Sequence, residues 1–176
     1  MKNILLGITG SIAAYKAADL ANQLTKIGYN VEVVMTESAM KFITPLTLQA
    51  LTKNKVYTDM FDEFTPDEIK HISLAKKADV CIIAPATANI IGKIANGIAD
   101  DFLSTVVMAL KGKPVFIAPA MNTNMYENSI VQENIEKLKA RGYFIIEPKE
   151  SRLACGDLGK GAMADVGEIM DRISNS

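Results

Sequence analysis

The run from Leu153 to Met163 places a reactive side chain in a glycine-rich setting. Cys155 is one of two cysteines in 176 residues, and three glycines follow it within six positions. Glycine at this density favours neither helix nor strand, so the run predicts a flexible flap at about 148–164. A thiol on such a flap can approach a bound ligand and donate a proton. The alternative is a solvent-exposed loop with an incidental cysteine.

Four more segments rich in small polar residues follow predicted strands. They are Gly7–Ser11, Thr36–Ser38, Pro85–Asn89 and Pro119–Asn122. Each segment, like the flap, comes at the carboxyl end of a strand, which is where open parallel sheets bind ligands. Together the segments predict one shared binding site.

The segment after the first strand favours a phosphate site. Gly10 and Ser11 lead into an Ala-rich helix, whose amides and Ser hydroxyl would face an anion. A tight turn with Ser11 as N-cap is the equal alternative. The segment is neither Gly-x-Gly-x-x-Gly nor a P-loop, and Met35-Thr36 stand where a dinucleotide site needs an acidic residue. A mononucleotide such as FMN fits better.

Two further residues have candidate roles at this edge. His71, the single histidine, begins an amphipathic stretch and is either a catalytic base or a structural residue. Asn122 would bind a carboxylate or amide, or else cap the following helix. Adjacent Asp100 and Asp101 point in different directions on a helix, so they are interpreted as N-terminal capping charges rather than a catalytic pair.

These motifs resemble those of the phosphopantothenoylcysteine decarboxylases in the homo-oligomeric flavin-containing Cys decarboxylase family, over nearly the whole chain. The matching motifs are Gly10–Ala14, His71-Ile72, Pro85–Asn89, Pro119–Asn122 and Leu153–Asp157. Three positions depart from common family forms: Thr87 replaces Ser, Ile90 replaces a Thr that can touch the flavin, and Ala162 replaces an Arg.

The resemblance implies decarboxylation of 4′-phospho-N-pantothenoylcysteine to 4′-phosphopantetheine in coenzyme A biosynthesis. FMN would oxidise the substrate thiol, carbon dioxide would leave an enethiolate, and the reduced flavin would return its hydride. His71 would be the base, Asn122 would hold the substrate carboxylate, and Cys155 would supply the final proton. Further substrate contacts would come from Met121, Arg152 and Ala154. FMN would be bound by Gly10, Ser11, Ile12, Thr36, Ser38, Thr87, Ala88, Asn89 and Ala120.

The resemblance also implies a homotrimer, or a multiple of one, with the flavin at subunit contacts. The interface is expected on the helices around 90–110, through Ile91, Ile94, Phe102, Leu103 and Val106.

Peptidyl-cysteine decarboxylases remain a rival interpretation, although they lack the reducing cysteine. Flavin prenyltransferases lack this His and the Cys-Gly-Asp sequence, and flavin-binding regulatory subunits usually carry long acidic tails.

The composition limits the classes of partner and of structural site that the chain could have. The net charge is −1 and no basic block is present, which argues against nucleic acid and anionic membranes. No apolar run is long enough to span a bilayer. Two dissimilar cysteines fit a reducing cytoplasm better than a disulfide scaffold and, with one His, predict no structural zinc site.

Strand and helix patterns alternate along the chain. The pattern predicts one α/β domain over 1–176, doubly wound and Rossmann-like, with a parallel sheet covered by helices on both faces. Strands are predicted at 3–8, 31–35, 80–84, 115–118 and 143–146. Helices are predicted at 12–27, 38–53 with a break before Pro45, 88–95, 101–110, 129–140 and 166–173. An acidic surface connection is expected over 57–70.

Overall fold

A computed structural model describes residues 1–61, 69–152 and 158–174. Its main sheet has six strands in the order β3-β2-β1-β4-β5-β6, and every neighbouring pair is parallel. The strands are β1 Asn3–Ile8, β2 Asn30–Met35, β3 Val56–Tyr57, β4 Val80–Ala86, β5 Val115–Pro119 and β6 Phe144–Ile145. This arrangement confirms the predicted parallel α/β fold.

Helices cover both faces of the sheet. They are α1 Ala14–Lys26, α2 Pro45–Thr52, α3 Lys70–Lys77, α4 Ala88–Asn96, α5 Phe102–Ala109, α6 Thr123–Tyr126, α7 Ser129–Ala140 and α8 Val166–Ser174, with a short 3₁₀ helix at Ala39–Lys41. Residues of α1, α2 and α8 pack on one face, and residues of α3, α4, α5 and α7 pack on the other. None of the helices in the described ranges is long and apolar enough to cross a membrane.

Strand β1 illustrates how alternation builds the two cores. Ile4, Leu6 and Ile8 belong to the core under α1, whereas Leu5 belongs to the core under α3 and α5. All four side chains are at most 1% exposed. Burying each one contributes about 1.5–3 kcal/mol, so a strand with two apolar faces is stable only between two helical layers.

Local signals set several helix ends where the sequence predicts them. Gly28 follows α1 with a φ of 88°, a conformation that costs glycine little. Thr44 is extended before Pro45, which occupies the first turn of α2. Asp101 caps α5, because its carboxylate accepts a hydrogen bond from the Ser104 amide and its own amide donates one to the Ser104 hydroxyl oxygen.

Three predictions about elements need correction. Strand β3 and helix α3 were not predicted, and each begins or ends inside the segment expected to be a surface connection. The described part of the predicted flap contains a second, two-stranded antiparallel sheet formed by β7 (Lys149–Arg152) and β8 (Leu158–Ala162). Residues 153–157, which join these strands and include Ala154 and Cys155, lie outside the described residues.

Four of the five predicted interface residues occupy the core of this chain itself. Ile91, Phe102, Leu103 and Val106 are at most 4% exposed, so they offer almost no surface to a second subunit. The prediction is wrong for these four residues, because their helices need the same apolar side chains to cover the sheet. Ile98 and Met108 are the large apolar residues of this region that are exposed.

Candidate active site

A cavity of about 490 Å³ lies where the loops after β1, β4 and β5 meet at the carboxyl edge of the sheet. Its volume falls in the range of ordinary small-molecule sites. The β7–β8 hairpin contributes a further side. The described lining residues are Gly10, Ser11, Ile12, Ala13, Tyr15, Lys16, Thr87, Ala88, Ala120, Met121, Asn122, Met125, Ser151, Gly161, Ala162 and Met163.

The loop after β1 brings the beginning of α1 to the cavity. The Ser11 hydroxyl oxygen accepts a hydrogen bond from the Ala13 amide at 3.2 Å, and the Ser11 carbonyl accepts one from the Ala14 amide. The N-cap of α1 is Ala13, without a side-chain capping bond, so the alternative with Ser11 as N-cap is wrong. Ser11 instead stabilises the turn before the helix and lines the cavity. A Cβ on Gly10 would lie only 2.4 Å from the Ser38 Cβ, which is too close for two carbon atoms. Glycine therefore lets the two loops pack together here.

Thr9 connects the loops after β1 and β4. Its hydroxyl donates a hydrogen bond to the Pro85 carbonyl at 2.7 Å and accepts one from the Thr87 amide at 3.1 Å. Thr9 is 2% exposed, so losing the hydroxyl would leave both backbone groups without this partner, at a cost of about 1–3 kcal/mol. Thr87 in turn caps α4 by accepting a hydrogen bond from the Ile90 amide. This chain of contacts fixes two walls of the cavity relative to each other.

The loop after β5 carries Asn122. The Ala120 amide donates to the Ala86 carbonyl at 2.9 Å, which ties this loop to the end of β4. The Asn122 side-chain oxygen accepts a hydrogen bond from the Asn124 amide at 2.8 Å and caps α6. Asn122 is thus both a helix cap and a cavity residue, held in place by its own helix.

The hairpin packs against that loop through its glycines. The Met121 amide donates a hydrogen bond to the Gly161 carbonyl at 2.9 Å. A Cβ on Gly161 would lie 2.3 Å from the Met121 carbonyl oxygen, and one on Gly159 would lie 2.4 Å from the Thr123 hydroxyl oxygen. The sequence argument that these glycines disfavour a strand was wrong, because they permit β8 to approach the loop closely.

The lining combines an apolar wall with one positive charge. Ile12, Met121, Met125 and Met163 provide apolar surface, and none of the described lining residues is a carboxylate. Lys16 is the cation of this lining set, and its ammonium lies 3.9 Å from the Asp165 carboxylate. Such a cavity suits a planar apolar ring together with an anionic group.

Several predicted site residues lie away from this lining. Thr36 and Ser38 follow β2, where Ser38 packs beside Gly10, and Asn89 is exposed on α4. Arg152 is the last residue of β7, and its side chain lies outside the described part of the structure; its neighbour Ser151 lines the cavity. His71 is half-buried in the first turn of α3 and is not among the cavity residues of its own chain.

Sequence reasoning missed Thr9, Lys16, Met125 and Met163. A signal existed for Lys16, because Ile12 and Lys16 are four residues apart at the beginning of α1 and such side chains share a helix face. The other cysteine, Cys81, is buried in β4 and is not one of the described lining residues; burial raises the pKa of its thiol to about 12.

Comparisons with known proteins agree with this geometry. A probable phosphopantothenoylcysteine decarboxylase of Streptococcus mutans is 56% identical over 173 residues, covering 98% of this chain and 97% of the relative. The coenzyme A biosynthesis bifunctional protein CoaBC of Bacillus subtilis is 52% identical over 169 residues. That match covers 96% of this chain and 41% of CoaBC, so the chain spans about two-fifths of the bifunctional protein.

Solved structures share the fold closely. A cysteine-to-serine mutant of a PPC decarboxylase, complexed with pantothenoylaminoethenethiol, has a TM-score of 0.93 and 36% identity, covering 99% of this chain and 97% of the other. The FMN-binding protein AtHal3 has a TM-score of 0.86 and 36% identity, with 99% and 95% coverage. The Flavoprotein family model matches residues 1–176, and the chain therefore belongs to the flavoprotein family.

Proposed function

We propose that the protein is a cytoplasmic, FMN-dependent phosphopantothenoylcysteine decarboxylase of coenzyme A biosynthesis. The observation that carries this proposal is the cavity at the carboxyl edge, where Ser11, Thr87 and Asn122 meet the β7–β8 hairpin. The similarity to the Streptococcus mutans decarboxylase over nearly the full length of both chains supports the same activity.

The lining chemistry fits FMN. The beginnings of α1 and α4 both reach the cavity, and helix N-termini favour a phosphate group. Apolar side chains such as Ile12 and Met163 suit the flavin ring. Bound FMN would accept a hydride from the substrate thiol carbon and later return it.

The protein should therefore be yellow when purified and release FMN, not FAD, on denaturation. A colourless protein that FMN cannot reconstitute would contradict the cofactor assignment.

The chain's own residues would hold the substrate and move its protons. Asn122 would bind the substrate carboxylate, and Met121, Arg152 and Ala154 would make further contacts with the substrate. His71 would accept the proton of the substrate thiol, and Cys155 would protonate the enethiolate after carbon dioxide has left.

We assign Lys16 to the substrate phosphate. A charge-assisted contact of this kind contributes about 1.5–3 kcal/mol, so Lys16→Gln should lower kcat/KM for the phosphorylated substrate by roughly 10- to 150-fold. The same variant should change kcat/KM for unphosphorylated N-pantothenoylcysteine only slightly. Lys26→Gln, in the last turn of the same helix, is the matched control and should resemble wild type. Equal losses for both substrates would remove Lys16 from phosphate recognition.

A homotrimer, or a multiple of one, would complete the site. His71 is outside the cavity of its own subunit, while exposed Phe61 and Ile69 lie near it in sequence. Ile12, Tyr15 and Met125 are exposed at the cavity. Apolar surface of this kind at a site edge is typical of a contact between proteins. We propose that α3 of one subunit supplies His71 to the cavity of its neighbour.

A further inference from the structure

Glu147 joins three elements around the base of the hairpin. Its carboxylate accepts a hydrogen bond from the Tyr126 hydroxyl at 2.9 Å and another from the Lys160 ammonium at 2.9 Å. The Lys139 ammonium lies 3.4 Å from its other oxygen. Tyr126 ends α6, Lys139 belongs to α7 and Lys160 belongs to β8, so one carboxylate links the hairpin to two helices.

The surroundings keep Glu147 ionised. Partial burial opposes ionisation, but hydrogen bonds from Lys160 and Tyr126 hold the pKa of Glu147 below its ordinary value. Tyr126 is 5% exposed, and burial together with its bond to Glu147 raises its pKa to about 12. The Lys160 ammonium also lies 5.6 Å from the centre of the Tyr126 ring, within reach of a cation–π contact. The buried Tyr126 side chain therefore holds the Glu147 carboxylate and the Lys160 ammonium in place.

The linked strand forms part of the cavity. Gly161 and Ala162 of β8 and Ser151 of β7 all line it. The position of β8 therefore determines where Gly161 and Ala162 stand in the cavity wall. On the side of β8 facing the loop after β5, the Met121–Gly161 hydrogen bond is a second attachment. The Glu147 carboxylate supplies the other attachment, which joins β8 to α6 and α7 through side chains.

The geometry points to Glu147 as a positioning residue that holds β8 against α6 and α7 and thereby keeps the enethiol intermediate in the cavity until it is reduced. This inference rests on the proposed function. An enethiol that leaves early is two hydrogens short of the saturated thiol, and those electrons remain on reduced FMN until dioxygen accepts them. The ratio of enethiol to 4′-phosphopantetheine therefore measures how well the hairpin is held.

The expected size of the effect is moderate. Glu147 and Lys160 side chains are 45% and 40% exposed, and ion pairs at such sites contribute little individually. Here two ammonium groups and a buried phenol share one carboxylate, and networks are stronger than isolated pairs. We expect a change of about three- to tenfold in the share of enethiol released, well short of loss of activity.

The test compares Glu147→Gln with Glu136→Gln in air. Glutamine keeps the shape of Glu147 and can still accept from Tyr126, but it loses both ion pairs. Glu136 binds the same Lys139 at 2.9 Å from within α7, so its variant removes a matching carboxylate without touching the link to β8. Lys160→Met removes the other end of that link and should act like Glu147→Gln.

Two readouts are needed: product ratio by mass spectrometry, and deuterium uptake of the amides of residues 158–162. Glu147→Gln and Lys160→Met should raise the ratio of enethiol to 4′-phosphopantetheine and also the deuterium uptake of these amides. Glu136→Gln should match wild type in both measurements. Faster exchange without a change in product ratio would overturn the role in retention, and unchanged exchange would overturn the attachment itself. Absence of carbon dioxide release by wild type would instead refute the proposed function, while the exchange comparison would still test the attachment.

Discussion

His71→Asn should release carbon dioxide about 100- to 10,000-fold more slowly than wild type while binding FMN normally, because general base catalysis contributes a factor of that size. The first proton transfer would fail, so the flavin should stay oxidised when substrate is added anaerobically. The visible spectrum and carbon dioxide release, measured on the same sample, check both statements. A variant that still reduces its flavin at the wild-type rate would exclude His71 as the base.

Mixed oligomers test which subunit supplies His71. If His71 and Asn122 of one site come from different subunits, His71→Asn and Asn122→Ala protein should each be inactive alone. Oligomers formed from both after unfolding and refolding in equal amounts should recover roughly a quarter of the sites, by random mixing of subunits. Wild-type protein refolded in the same way is the control. No recovery beyond the two separate variants would place both residues in one subunit's site.

Cys155→Ser should separate the two halves of the reaction. No step before the enethiolate requires the Cys155 proton, so the variant should still oxidise and decarboxylate the substrate. A serine hydroxyl is a far weaker acid than a thiol, so protonation and hydride return should stall. Under anaerobic conditions we expect about one equivalent of enethiol and reduced flavin per site, with little turnover.

The mass of the product distinguishes this role from a structural one. The enethiol is two hydrogens lighter than 4′-phosphopantetheine, and it should dominate the Cys155→Ser product. Cys81→Ser is a poor control because Cys81 is fully buried in β4, so Cys81→Ala is preferable. Saturated product formed by Cys155→Ser at the wild-type rate would remove Cys155 from the mechanism.

Most of the sheet and the surrounding helices could be predicted because their signals are local. The apolar strand at Val80–Ala86 and the Asp101 cap of α5 each depend on residues adjacent in sequence. Strand β3 has two residues, too few for a periodic pattern, and α3 buries only Leu74 and Ala75. Such short elements are formed by tertiary packing rather than by their own sequence.

The hairpin shows why the candidate site could be predicted only in part. Gly159 and Gly161 have the composition of a loop, and their role in close packing against Thr123 and Met121 depends on contacts across the fold. Cavity residues that follow strands, such as Ser11 and Asn122, could be found because the carboxyl edge of a parallel sheet is a general binding position. Residues brought in by the hairpin, such as Ser151, carry no comparable signal.

The charge contacts of the hairpin were likewise invisible in the sequence. Glu147 follows the last strand of the sheet and Lys160 comes thirteen residues later, with no helical spacing to connect them. Their pairing exists because β8 folds back antiparallel to β7 and meets the ends of α6 and α7. Contacts of this kind depend on topology, and only the folded chain reveals them.

Carbon dioxide release from 4′-phospho-N-pantothenoylcysteine by the purified, FMN-loaded protein tests the central claim most directly. The substrate carries a ¹³C-labelled carboxyl group, and labelled carbon dioxide and thiol product are quantified together by mass spectrometry. The account predicts one labelled carbon dioxide per molecule of saturated 4′-phosphopantetheine over many turnovers. FMN-loaded protein that binds the substrate yet releases no labelled carbon dioxide would contradict it.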